Sequence, residues 1–109
     1  MPGIPSFLLR HEVVVEPLIG EGPFGSTYGP RTAVRCFRDD KRRLVRGTDG
    51  SEVVSETTLY MRLSETCPVG SRVTLDQGTA GERVTTVITA ARRDGGGLPT
   101  PDHLEVTLL

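Results

Sequence analysis

With 109 residues and a mass of 11.8 kDa, the chain has the size of one domain with a single modest core, too small for an active-site cleft between two lobes. Thirteen basic against fourteen acidic residues leave a net charge of -1 and a pI near 6.1, which argues against a broad nucleic-acid surface driven by net charge and leaves room only for a local basic patch. Two cysteines, Cys36 and Cys67, lie far apart without CxxC spacing, so the composition implies free, buried thiols in a reducing cytosol, not a disulfide framework.

Residues 1–10 read as an N-terminal arm. The short apolar patch Phe7-Leu8-Leu9 lacks the basic flank and the length of a signal peptide, and no run of the sequence approaches membrane-spanning length. The expectation is a protein made in the cytoplasm, without a membrane partner, unless a larger particle carries it away.

From His11 onward the strand period recurs and the helix period is hard to find. Glu12-Val13-Val14-Val15-Glu16 is a brief β-branched run stopped by Pro17. Residues 18–31 carry four glycines and two prolines and read as a long irregular loop, of the kind that is often functional in a compact domain. Thr32-Ala33-Val34-Arg35-Cys36-Phe37-Arg38 then alternates, with Val34 and Cys36 on one face and Arg35 on the other.

The hairpin signal is clearest over residues 43–56, where Arg43-Leu44-Val45-Arg46 and Glu52-Val53-Val54-Ser55-Glu56 flank Asp49-Gly50. That dipeptide suits a two-residue type I′ turn, which sets Val45 opposite Val54 and Arg43 opposite Glu56. The second strand is expected to run on through Leu63, with Leu59, Met61 and Leu63 as one apolar stripe and Tyr60 and Arg62 outside. Pro68 ends that element, and residues 64–67 leave room for a short helix. Val73 and Leu75 face inward in the next strand, and the glycines from Gly78 to Gly81 turn the chain. A long strand follows from Arg83, for which the reading places Val84 and Ile88 in the core and Val87 on the opposite face. Residues 94–103, with three glycines and two prolines, form a stiff surface turn, and Leu104, Val106 and Leu108 supply the inward side of a closing strand. These elements predict one all-β domain, a small closed or partly open β-barrel of six to seven strands with long loops.

No constellation points to catalysis, to a cofactor or to a metal. Gly20-Glu21-Gly22-Pro23-Phe24-Gly25 matches GxGxxG, yet the lysine and the two aspartates that a kinase-type phosphate loop works with have no place here, and Pro23 opposes a helix opening at Gly25. His11, His103, Cys36 and Cys67 lack the close spacing of zinc ligands. Asp102 and His103 are adjacent, so on a strand their side chains point to opposite faces and form no dyad. The chain therefore reads as a non-enzyme. Phe24 and Tyr28 either anchor a partner or tuck onto the domain's own core. The charged run Arg38-Asp39-Asp40-Lys41-Arg42-Arg43 is either a solvated edge that blocks sheet extension or a set of charges lining a channel shared by several copies.

The order of these features resembles the small head-tail connector proteins of long-tailed bacteriophages, specifically the head closure, or head-to-tail stopper, family. The similarity rests on the VVVEPLIGEG opening, the YGP turn, the VRCFRDDKRRLVR hairpin with its DG tip, the PVGSRVTL strand and the DGGGLPTPDHLEV terminus, and it covers about residues 11–109. It implies a structural virion protein assembled in the bacterial host cytoplasm. Its subunits would form a ring, hexameric or alternatively dodecameric, between the portal-adaptor and the tail terminator or tail tube protein, retaining packaged DNA by non-specific contact and offering the tail its docking surface. By position in the pattern, the channel or gate residues would be Lys41, Arg42, Arg43, Arg46, Asp49 and Gly50. Phe24, Tyr28, Leu98 and Pro99 would be the partner-docking candidates. The competing expectation is an OB-like module for single-stranded nucleic acid, with Phe37 and Tyr60 as stacking platforms beside Arg35, Arg38, Arg42 and Arg46. The two readings differ in salt dependence, since a phosphate-binding groove loses affinity steeply with salt.

Overall fold

The structure, a computed structural model, describes residues 9–93 and 103–109; the expected turn at residues 94–102, with Leu98 and Pro99, and most of the N-terminal arm lie outside the described residues. Ten strands follow one another: β1 (His11–Glu16), β2 (Leu18–Gly22), β3 (Gly25–Tyr28), β4 (Thr32–Asp39), β5 (Arg43–Arg46), β6 (Glu52–Ser55), β7 (Thr57–Met61), β8 (Arg72–Leu75), β9 (Arg83–Arg93) and β10 (His103–Leu108). Six of them close into an all-antiparallel barrel in the order β1-β4-β7-β10-β9-β8, while β2 with β3 and β5 with β6 make two separate two-stranded ribbons. Among the described residues there is no helix, including at residues 64–67, where Glu65 N–H donates to the Arg62 carbonyl at 3.0 Å in a single turn.

Closure gives each of the six barrel strands a hydrogen-bonded neighbour on both sides. Its interior is filled by alternate side chains: Val13 and Val15 of β1, Val34 and Cys36 of β4, Leu59 and Met61 of β7, Val73 and Leu75 of β8, and Leu104, Val106 and Leu108 of β10, all buried. On β4, β7, β8 and β10 the inward residues read from the sequence are buried, whereas β1 buries three valines in a row. Cys67 joins the same core from the connection after β7.

Four expectations are corrected by the structure. Residues 18–31 are not an irregular loop but the β2–β3 hairpin. Gly22 pairs with Gly25 across a tight turn, with Pro23 at the position that its fixed φ suits and Gly25 supplying a φ of 108°. The Asp49-Gly50 hairpin forms, but with a three-residue loop, not a two-residue one. Gly47 N–H donates to the Ser51 carbonyl at 2.9 Å and Gly50 N–H to the Gly47 carbonyl at 3.0 Å, and in this turn only Gly50 takes a positive φ, 87°. One extra loop residue moves the register by one, so Val45 faces Val53, Leu44 faces Val54 and Arg43 faces Ser55.

The third correction concerns the strand expected to run unbroken from β6 through Leu63. It breaks at Glu56, where Glu56 N–H (3.2 Å) and Ser55 Oγ (2.8 Å) both donate to the Leu108 carbonyl, and it ends at Met61 with Leu63 outside the stripe. The chain thereby leaves the ribbon and enters the barrel. The fourth is on β9, where Val87 is buried and Val84 exposed, the reverse of the expected faces. Thr107 pairs with Thr89 while Leu108 pairs with Val87, so Ile88 is the extra residue of a β-bulge. Thr85 and Val87 face inward before it, and Ala90 packs on the core after it.

Candidate functional site

The ribbons are the parts of the molecule that its core does not need. The β2–β3 ribbon is inserted between β1 and β4, and the β5–β6 ribbon between β4 and β7. Since β1, β4 and β7 are antiparallel neighbours, the two insertions sit at opposite ends of β4. Eight residues of β4 at about 3.3 Å each separate their bases by roughly 25 Å, and the molecule measures 45 × 34 × 27 Å.

At one end the β2–β3 ribbon is held by its base. Leu18 N–H donates to Ser71 Oγ at 3.0 Å, Gly29 N–H donates to the Pro17 carbonyl at 2.7 Å, and the Arg72 guanidinium lies 4.1 Å from the centre of the Tyr28 ring while pairing with Glu16 at 3.0 Å. Gly70, at a φ of 90°, lets Leu18 close over it; a Cβ there would stand 2.7 Å from Leu18 Cδ2. The two docking candidates on this segment therefore part company. Tyr28 anchors the ribbon to its own barrel, whereas Phe24, at the tip, is fully exposed, and Ile19 is largely so.

At the other end the six gate candidates do lie together on the β5–β6 ribbon and its approach. Arg42 pairs with Glu56 at 3.1 Å, Arg43 reaches toward Glu105 at 3.8 Å, and Arg46 donates to the Gly50 carbonyl at 2.7 Å. Asp49 Oδ1 accepts from Ser51 Oγ at 2.6 Å and from Ser51 N–H at 3.0 Å, bonds that hold its carboxyl below the usual carboxylate range. Lys41 is exposed in the connection from β4, and Gly50 is exposed at the tip. Much of the basic charge is thus spent on shaping the hairpin. The ribbon's outward apolar pair, Leu44 opposite Val54, is open to solvent.

Sequence reasoning missed the cluster that roots this ribbon. Arg38, on the core-facing side of β4, pairs with both Asp40 and Asp76 at 2.9 Å; Thr57 Oγ1 donates to Asp40 at 2.9 Å, and Arg83 donates to Thr57 Oγ1 at 3.0 Å. Asp40 and Thr57 bound the ribbon on either side, so the network ties both of its stems to the ends of β8 and β9. Burial works to raise the Asp40 pKa, but the bonds from Arg38 and Thr57 outweigh it and hold the carboxyl below its ordinary value. Asp76 takes a positive φ of 54° to begin its turn. The only forewarning in the sequence was the density of charge at residues 38–43.

On the outer wall, four rings from four adjacent strands form a stripe. His11 and Phe37 are 5.9 Å apart, Phe37 and Tyr60 6.1 Å, and Tyr60 and His103 5.6 Å between centroids. Arg35 beside it donates through Nε (3.1 Å) and Nη2 (2.8 Å) to the Leu9 carbonyl. Two clefts share Glu65 in their lining. One of about 320 Å³ is lined by Leu9, Ala33, Arg35, Arg62 and Glu65, and one of about 260 Å³ lies between the end of β1, the start of β4 and residues 64–66. Cys36 and Cys67 are both buried, and burial pushes each thiol up to about 12. Among the described residues no three His, Cys, Asp or Glu side chains converge as metal ligands, and no helix is long and apolar enough to cross a membrane. No model of a known protein family, no curated protein and no solved structure matches this chain.

Proposed function

We propose that this protein is a structural connector subunit, a head-to-tail stopper whose ring sits between a phage portal-adaptor and the tail. One observation carries the reading: a closed barrel sends two ribbons of different chemistry from opposite ends, one tipped by bare Phe24 and the other rooted in Lys41, Arg42 and Arg43. An isolated two-stranded ribbon is marginally stable in water, and exposed apolar side chains on such a ribbon favour a partner. A subunit that must touch one assembly above and another below needs this arrangement, and it needs no catalytic group. The ribbon carrying Lys41 to Gly50 is the candidate for the channel side. Its basic groups are partly neutralised by Glu56 and Glu105, which suits loose, non-specific contact with DNA that must later be released.

The test is electron microscopy of the purified chain, with co-purification against the portal-adaptor and tail proteins encoded beside it. Rings with an axial channel that capture those proteins are expected. A monomer that captures neither would overturn the proposal.

The ring stripe favours a second reading, single-stranded nucleic-acid binding by base stacking on Phe37 and Tyr60. The barrel has six strands, where an OB-fold has five, and Arg35 is already committed to Leu9. Binding to single strands that weakens steeply between low and moderate salt would support it; salt-insensitive or undetectable binding would leave the connector reading alone.

A further inference from the structure

We propose that the outer wall of β4 and β7 binds an extended acidic segment of a partner protein. One carboxylate of that segment seats between Arg35 and Arg62, and an apolar side chain two residues on lies against Phe37 and Tyr60. The surface belongs to the single subunit and does not depend on the ring reading above.

The pairing of β4 with β7 builds the site. Phe37 stands opposite Tyr60 and Cys36 opposite Met61, so one step further the register brings Arg35 opposite Arg62, where β7 ends. Both arginines line the cleft of about 320 Å³, together with Leu9, Ala33 and Glu65. Like charges directly opposite each other destabilise a sheet, and an anion held between them reverses that sign. Arg35 is fixed for the task. Its Nε and Nη2 both donate to the Leu9 carbonyl, at 3.1 and 2.8 Å, which sets the plane of the guanidinium and leaves the two N–H donors of Nη1 outside those bonds. Neither bond is to an acid, so the charge is not neutralised by them. A third guanidinium, that of Arg92, donates to the Leu63 carbonyl at 3.2 Å, one residue beyond Arg62.

The rings lie one pleat period away. Arg35 and Phe37 are two residues apart on β4, as are Tyr60 and Arg62 at the end of β7, and residues so spaced share a face about 7 Å apart. Phe37 is 39% exposed, and its ring lies 6.1 Å from that of Tyr60. An extended peptide has the same two-residue period, so an acid at one position and an apolar side chain at the next but one meet arginines and rings together.

Charge selects the kind of chain. Two guanidiniums against the Glu65 carboxylate leave this lining one positive charge in excess, although the chain as a whole carries a net charge of -1. A single carboxylate balances that excess, and paired arginines hold a carboxylate through charge-assisted bonds. A nucleic-acid strand brings a phosphate with every nucleotide, and Glu65 in the cleft and Glu12, which faces Arg35 from β1, both repel such a run. The cleft volume lies at the lower end of small-ligand pockets, about 300–1,000 Å³, and suits one acidic side chain with the backbone that carries it.

NMR titration of the full chain, following backbone amides and the Arg35 Nε–H, tests this. The probe is a blocked five-residue peptide with glutamate second, phenylalanine fourth and glycine elsewhere. The comparisons are the same peptide with glutamine second and an eight-nucleotide thymidine strand. The expected result is saturable shifts at residues 33–37 and 60–65 and at the Arg35 Nε–H, with a Kd at least about tenfold weaker for the glutamine peptide and for Arg35→Gln. Arg46→Gln, on the β5–β6 ribbon, should leave the Kd unchanged. Arg35→Gln also removes the bonds to Leu9, so Arg62→Gln provides a second variant, expected to weaken binding while the thermal unfolding of the chain stays unchanged. Shifts that never saturate, or glutamate and glutamine peptides that bind alike, would overturn the proposal. Tighter binding of the thymidine strand at these residues would overturn it in favour of the nucleic-acid reading.

Discussion

Asp40 and Arg38 decide how firmly the β5–β6 ribbon is rooted. The Arg38 side chain is 17% exposed and the Asp40 side chain 56%, so solvent screens the pair, and such a pair contributes at most about 1 kcal/mol. The sign follows from the depressed carboxyl: its stabilisation is present above the ordinary carboxylate pKa and is lost as pH falls through the lowered folded value. Asp40→Asn should therefore lower the unfolding temperature by a few degrees at pH 7, and the gap between variant and wild type should narrow as the pH falls below the ordinary carboxylate range. Thermal unfolding at pH 7, 4 and 2.5 measures this; a gap undiminished at pH 2.5 would mean that the charge is irrelevant. The cysteines are a second residue-level case. With both thiols buried and pushed up to about 12, neither is a thiolate at neutral pH, and a thiol reagent at pH 8 should react only at the rate of unfolding. Rapid labelling of the native protein would contradict that burial.

Among the elements, the barrel strands were legible in the sequence where the pleat faces one core. β4 and β10 alternate because Val34 and Cys36, or Leu104, Val106 and Leu108, each have a wet or polar neighbour on the other side. β9 misled because Val84, Val87 and Ile88 do not share a period of two, and only a bulge at Ile88 lets the strand serve β8 with Val87 inward and β10 with Ala90 inward. β2 and β3 were invisible for a different reason. A ribbon with no core to face has no alternation to show, and glycines there look like a loop. The root cluster was beyond reach because it joins residues as distant as Arg38 and Asp76, and of the ring stripe only Phe37 and Tyr60 were named together from the sequence, since His11 and His103 join them through pairing that no local pattern announces. The same distinction predicts dynamics. Backbone amides of β2, β3, β5 and β6 should exchange with solvent orders of magnitude faster than those of β7 and β10. Hydrogen exchange by mass spectrometry reads both; protection of isolated ribbons equal to that of the barrel would show that they are packed elements of the monomer.

At the scale of the molecule, closure is the property from which the rest follows. β10 pairs with β7 on one side and β9 on the other, so it is the stave that makes a curled sheet into a barrel. Removing residues 104–109 would strip both neighbours of their ladder partners and would open the core to water at Leu59, Met61 and Val87. It would also delete the Leu108 carbonyl, which receives Ser55 Oγ and Glu56 N–H where the β5–β6 ribbon meets the wall. Three buried apolar side chains vanish with it. Truncating even one large buried residue to alanine costs about 2–5 kcal/mol, against a total stability of about 5–15 kcal/mol for a domain. The chain shortened by these residues should therefore lack a cooperative thermal transition and should aggregate through its two new edges. Supplying the missing strand as a separate peptide should restore some cooperativity by strand addition. A soluble truncation that still melts in one sharp transition would show that the other five strands form a self-sufficient sheet, and the ribbons would then owe their opposed placement to β4 alone.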